Sequence, residues 1–90
     1  MKQRIHVYFI GNVQGVGFRF TARHTAGELG IDGWVKNLRN GSVEVVAEAE
    51  SERLNEFLTR IQNSFSGYIH DAQVNWEEAT GEFDGFNVEF

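Results

Sequence analysis

Apolar residues alternate along the first stretch of the chain, with Ile5, Val7 and Phe9 on one side and His6, Tyr8 and Ile10 on the other. A period of two predicts a first strand that ends at Gly11 and turns one apolar face to a core. After a glycine-rich stretch the period changes. Phe18, Ala22, Ala26 and Leu29 recur at helical spacing, and Gly30 stands where a left-handed residue can stop the helix. Gly27 within this helix costs up to about 1 kcal/mol relative to alanine, which suggests close packing on a sheet. Trp34 to Leu38 reads as a second strand, Asn40-Gly41 as a hairpin turn, and Val43 to Ala49 as a third strand. Leu54, Phe57, Leu58, Ile61 and Phe65 then give the clearest amphipathic helix of the chain, with Ser51 placed to cap its start. Ser66-Gly67 ends it, Ala72, Val74 and Trp76 alternate as a fourth strand, and Phe86, Val88 and Phe90 as a final one.

The order βαββαβ plus a short final strand belongs to the α+β class. It predicts a ferredoxin-like, split βαβ arrangement: an antiparallel sheet with both helices packed on one face. No repeat, linker or low-complexity segment interrupts it, so residues 1–90 read as one domain. In this topology the first helix returns the chain, the first two strands run parallel, and the third lies between them. Their C-terminal ends then share a rim, about 10 Å apart by two strand spacings. The loop at 12–19 leaves one end, and Asn37 lies near the other.

Composition narrows the function. A domain of 90 residues buries only about two-thirds of its unfolded surface and has little room for a deep pocket. Without cysteine it has neither disulfides nor thiolate metal sites. Met1-Lys2-Gln3-Arg4 runs straight into a strand, and no apolar run of about 18 residues occurs, so a soluble cytoplasmic protein is expected, with a monomer as its simplest state. The net charge of −5 is unevenly placed: residues 1–43 carry 6 Lys/Arg against 2 Asp/Glu, and residues 44–90 carry 2 against 11. The basic half suits a small anionic substrate. The acidic remainder would repel nucleic acid or an anionic membrane, so neither is expected as a partner.

Gly11-Asn12-Val13-Gln14-Gly15-Val16-Gly17-Phe18-Arg19 joins the first strand to the first helix within that basic half. Glycine reaches φ > 0 without a Cβ clash, so successive N–H groups can turn inward around a small oxyanion. Arg19 adds a planar fork of donors that grips two phosphate oxygens at once. The better-known phosphate loops do not fit. A dinucleotide fingerprint starting at Gly15 needs glycine at position 20, where Phe20 stands, and no Gly-Lys pair exists for a Walker loop. Taken alone, the stretch is equally compatible with a tight strand-to-helix turn.

Val13-Gln14-Gly15-Val16-Gly17-Phe18-Arg19, followed by Gly33-Trp34-Val35-Lys36-Asn37-Leu38-Arg39-Asn40-Gly41-Ser42-Val43, resembles the two signatures of the acylphosphatase family in order and separation. The resemblance covers roughly residues 5–49. It departs at Phe9, where the family usually has an aliphatic residue, and at Ala49, where the second signature usually ends in glycine. The family's ferredoxin-like fold agrees with the pattern above.

The signature residues contain no carboxylate, cysteine or evident metal ligand. Hydrolysis of a phosphate monoester makes an alkoxide, which normally calls for a general acid or a metal. An acyl phosphate expels a carboxylate of pKa about 4 and needs no proton. Transfer then depends on positioning and on stabilising charge. The resemblance implies the matching roles: Arg19 binds phosphate with the loop amides of Gly15, Val16, Gly17, Phe18 and Arg19, and Asn37 orients a water that attacks phosphorus directly. The expected substrate is a small acyl phosphate, with no cofactor and no metal. Gln14 and Lys36 are expected to support loop shape and local field, and His6 and His24 to be bystanders. Two other classes stay open: an anion-binding or regulatory module that kept the cradle with weak turnover, and an RRM-type nucleic-acid binder. The second lacks aromatics on the open face of the third strand and has the wrong charge.

Overall fold

The computed structural model describes all 90 residues. Its elements are β1 (Lys2–Gly11), α1 (Phe18–Leu29), β2 (Asp32–Asn37), β3 (Val43–Glu50), α2 (Ser51–Ser64), β4 (Ile69–Glu78) and β5 (Phe86–Glu89). They build a five-stranded sheet in the order β4-β1-β3-β2-β5, so β3 does lie between β1 and β2. Ile5, Val7 and Phe9 of β1 are fully buried with Val43, Val45 and Ala47 of β3 and Leu54, Phe57 and Ile61 of α2 in one core. His6 and Tyr8 alternate out of that core onto the opposite, open face. The two helices therefore share one side of the sheet, as the apolar periodicities require. No helix is long and apolar enough to cross a membrane.

Three expectations need correcting. The sheet is mixed: β1, β2, β3 and β4 pair antiparallel, but β5 runs parallel to β2. The reason is topological, because β4 ends at one edge of the sheet and the chain must cross to the other edge before β5 begins. Ser51 is not the cap of α2; it is already helical, Glu50 holds the cap position, and no side chain bonds to the helix start. β3 continues into α2 without a loop, which leaves no room for a separate capping residue. Gly27 does not mark close packing either, since it is exposed and a Cβ there would meet nothing within 4 Å. The close approach lies at Gly33 instead, where φ is +146° and a Cβ would fall 1.9 Å from the Val46 carbonyl oxygen. Ala49, by contrast, sits buried in β3 without positive φ, so its methyl group is unstrained.

Glu48 holds the crossing segment in place. It lies on the open face of β3 and is only 3% exposed. Its carboxylate accepts hydrogen bonds from Arg4 Nε at 2.8 Å, the Thr80 N–H at 2.8 Å, the Thr80 hydroxyl at 3.2 Å and the Gly81 N–H at 3.0 Å. Arg4 in turn reaches Thr80 and Glu82. The segment from 79 to 85 is thus strapped across the start of β1 and the end of β3. It then meets β2 through the Gly33 N–H on the Gly85 carbonyl and the Gly85 N–H on Asp32, 2.9 and 3.0 Å.

Burial alone would raise the Glu48 pKa, but the donors from Thr80, Arg4 and Gly81 outweigh it and hold the carboxyl below its ordinary value. A folded-state pKa depressed in this way contributes stability above the unfolded value, about 4.3, and that contribution is lost as pH falls through the lower folded value. Glu48→Gln should therefore destabilise the protein at pH 7 by about 3 kcal/mol, the lower end for breaking a buried pair. It should also flatten the loss of stability below pH about 5. Urea titrations of both proteins at neutral and acidic pH check this; parallel pH curves would show that the carboxylate carries no such linkage.

Candidate functional site

The glycine loop is fixed at both ends and free in the middle. Val13 is fully buried at its start, and Phe18 is buried at its end, with its ring 5.1 Å from Phe9 of β1 and 4.6 Å from Phe65 at the end of α2. Between these anchors Gly15 and Gly17 take φ of +76° and +80°, values that L side chains rarely adopt. Gly17 is the cap residue of α1 and offers no side-chain acceptor to the first turn. The backbone N–H groups of residues 15–19 consequently donate to no protein acceptor. They stand at the positive end of α1, where an anion is favoured.

Asn37 closes β2 on the same rim, one strand beyond the central β3. Its Oδ1 is the only buried side-chain polar atom of the protein that has no hydrogen-bond partner. Leaving an amide oxygen both dry and unpaired costs roughly 1–3 kcal/mol, so such an atom marks a place where something polar belongs. Gly15, Gly17, Phe18, Arg19 and Asn37 line one cleft of about 510 Å³. Val16, the fifth loop candidate, instead packs its side chain against the core and leaves only its backbone to the loop.

Gln14 connects the two halves of this rim. Its Nε2 donates to the carbonyls of Leu38 at 2.7 Å and Ser42 at 3.0 Å, which border the turn that follows Asn37. That turn spans five residues, not the two of a minimal hairpin: the Leu38 N–H donates to the Ser42 carbonyl, and Asn40 Oδ1 accepts from the Ser42 N–H and hydroxyl. Gln14 thus supports the loop, as its position in the string suggests, whereas Lys36 does not line the cleft.

The two discounted histidines stay outside. His6 lies on the open face with Nε2 2.6 Å from Glu44, and His24 is exposed on α1, 3.7 Å from Glu28, in a groove beside the cleft. The other wall was not legible from the sequence. Phe20 and Arg23 of α1, Asn87 and Val88 of β5, and Phe90 complete the cleft, and the Phe90 ring lies 5.0 Å from the Arg19 guanidinium carbon. Of these, only Arg23 carries a local signal, since it stands one turn after Arg19 on α1. Asn87, Val88 and Phe90 carry no local signal and reach the cleft only because β5 lies beside β2.

A family model described as acylphosphatase matches residues 5–88. The chain belongs to the acylphosphatase family. It is 41% identical over 86 residues to an acylphosphatase of Roseiflexus sp. strain RS-1, covering 94% of this chain and 92% of that one. Its fold superposes on the crystal structure of acylphosphatase from Bacillus subtilis with a TM-score of 0.91, at 30% identity and with 98% and 99% of the two chains covered. It also resembles part of HypF from T. kodakarensis, with a TM-score of 0.83 and 26% identity, where it spans 98% of itself but 12% of that longer chain. The acylphosphatase signatures therefore sit in the structural context that their resemblance implied.

Removing the bridge between loop and turn should be felt in both fold and site. Gln14→Ala is expected to cost about 1–2 kcal/mol for its two hydrogen bonds and to lower turnover of a small acyl phosphate several-fold. Thermal denaturation and initial rates, measured on one preparation, test the two effects together.

Proposed function

We propose that this protein hydrolyses the carboxyl-phosphate bond of small acyl phosphates to a carboxylate and inorganic phosphate by direct attack of water. Family membership supports the reaction class. The observation that carries the assignment of residues is the unpaired Oδ1 of Asn37 on the wall of a cleft whose other side holds Arg19 and the free loop amides.

In this reading the phosphate enters at the start of α1. The N–H groups of Gly15, Val16, Gly17, Phe18 and Arg19 surround its oxygens, and the Arg19 guanidinium grips two of them as a fork. Phe18 holds the first turn of the helix in the core and so fixes where Arg19 begins. The stacked Phe90 ring restricts the guanidinium further. Asn37 Oδ1 accepts a hydrogen bond from a water, which turns a lone pair of that water toward phosphorus. As the bond to phosphorus forms, the bond to the acyl oxygen breaks, and the electron pair leaves with the carboxylate. The water's proton passes to a phosphate oxygen. No protein group needs to give or take a proton, in keeping with a cleft wall of two arginines, two asparagines, glycines and apolar residues. Transition-state charge is stabilised by donors that are already in place.

The binding-module alternative stays open because the same fold also occurs as a short part of a much longer chain, HypF. Turnover of acetyl phosphate separates the readings, since a binding module would retain phosphate without releasing it from the substrate.

The two central residues have different tasks and should fail differently. Arg19→Ala should abolish turnover and weaken competitive inhibition by inorganic phosphate, and Arg19→Lys should fail badly as well, because an ammonium lacks the bidentate fork. Asn37→Ala should lower kcat by at least about 100-fold while phosphate inhibition changes little. Equal loss of phosphate affinity in both variants would remove the water-positioning role from Asn37.

Chelation provides a separate check. No three His, Cys, Asp or Glu side chains are grouped to hold a metal ion, and the steps above use none. Full activity is expected in excess EDTA. A reversible loss restored by Mg²⁺ or Zn²⁺ would overturn the proposed chemistry.

A further inference from the structure

The cleft wall carries two arginines, and the phosphate-binding role above uses only Arg19. No Asp or Glu lines it, in a chain whose net charge is −5. Arg23 follows Arg19 by four residues on α1, so the two side chains leave the same side of the helix with Cβ atoms about 5–6 Å apart. Arg23 makes no hydrogen bond or ion pair. Glu28, which shares the neighbouring groove with it, is instead approached by Arg60 at 3.5 Å and His24 at 3.7 Å. The second cation of the cleft is thus uncommitted.

Its position along the helix decides what it can meet. Four residues advance the chain by about 6 Å along the axis, away from the amides that open α1. The loop amides and Arg19 already surround the phosphate site at the start of the helix, so Arg23, one turn further on, suits a group attached further along the substrate. Phe20, Val88 and Phe90 supply apolar surface in the same cleft for the acyl body.

We propose that Arg23 receives a second anionic group carried on the acyl part of the substrate, so that the preferred substrates are acyl phosphates bearing a carboxylate remote from the phosphate. This rests on the assignment of the phosphate to Arg19 and the loop. Arg23 is exposed, so its contribution is partly screened by solvent and falls with added salt.

A pair of non-hydrolysable probes tests it: 3-carboxybenzoylphosphonate and 3-methylbenzoylphosphonate, which differ in charge but little in size. Calorimetric binding to the wild type, Arg23→Gln and Arg23→Lys, at low salt and at about 0.5 M salt, gives the preference directly. The wild type should bind the carboxylate probe about fivefold tighter or better at low salt, with the margin shrinking at high salt. Arg23→Gln should erase the preference, and Arg23→Lys should keep part of it, because the charge remains while the planar fork is lost. Equal weakening of both probes in Arg23→Gln would place Arg23 on the phosphate and overturn the proposal. Unchanged binding of both would show a merely solvated arginine and overturn it too. In a parallel assay, failure to turn over 3-methylbenzoyl phosphate would count against the proposed hydrolysis, while the binding preference would still stand or fall by itself.

Discussion

The arrangement of this protein depends on one ionised carboxylate kept out of water. Glu48 sits on the central strand, on the face away from the helices, and collects donors from Arg4, Thr80 and Gly81. Three of its hydrogen bonds go to a segment with no regular structure of its own, and they determine where that segment crosses the sheet. The crossing sets β5 beside β2, in parallel, and the far end of β5 then brings Asn87 and Val88 to the cleft. A constraint at one end of the sheet therefore decides part of the lining at the other. Arg4 responds in kind: burial would lower its pKa, but its hydrogen bonds to Glu82 and Glu48 more than compensate and keep it above the ordinary value.

Much of the fold and half of the site were legible in the sequence, because they rest on local patterns. Alternation at Ile5, Val7 and Phe9 and helical spacing at Leu54, Phe57 and Ile61 report burial directly, and the buried faces follow them. The loop was legible because glycine positions are a local feature, Asn37 was singled out by the resemblance of its string to the family signature, and the βαβ topology brings the two to one rim. The rest depends on partners distant in the chain. Parallel pairing of β5 is set by where residues 79–85 cross, and that crossing depends on Glu48, more than 30 positions away. Nothing near Asn87 announces a cleft. The Ser51 and Gly27 expectations failed for a related reason: local propensity assumes a loop before the helix and a sheet beneath the glycine, and this chain provides neither there.

Charge is sorted along the same lines as structure. Glu44 and Glu48 are on the open face, and Glu44 is engaged by His6 and Tyr8. Burial first, then the Glu44 charge beside it, raises the Tyr8 pKa. The cleft keeps its two arginines free of carboxylates. An acidic chain can in this way present a locally positive cavity, because no carboxylate lines the cleft and solvent screens those nearby.

The strap and the outer strand also bear on how the chain reaches this structure. β1 pairs with β4 along nearly its whole length, and Arg4 bonds Thr80 and Glu82, 76 and 78 positions further along the chain. Contacts of that reach return no energy until almost the entire polypeptide has been gathered, and closing such long loops costs entropy beforehand. Folding is accordingly dominated by contacts between remote segments, which places this small domain among the slow folders for its length.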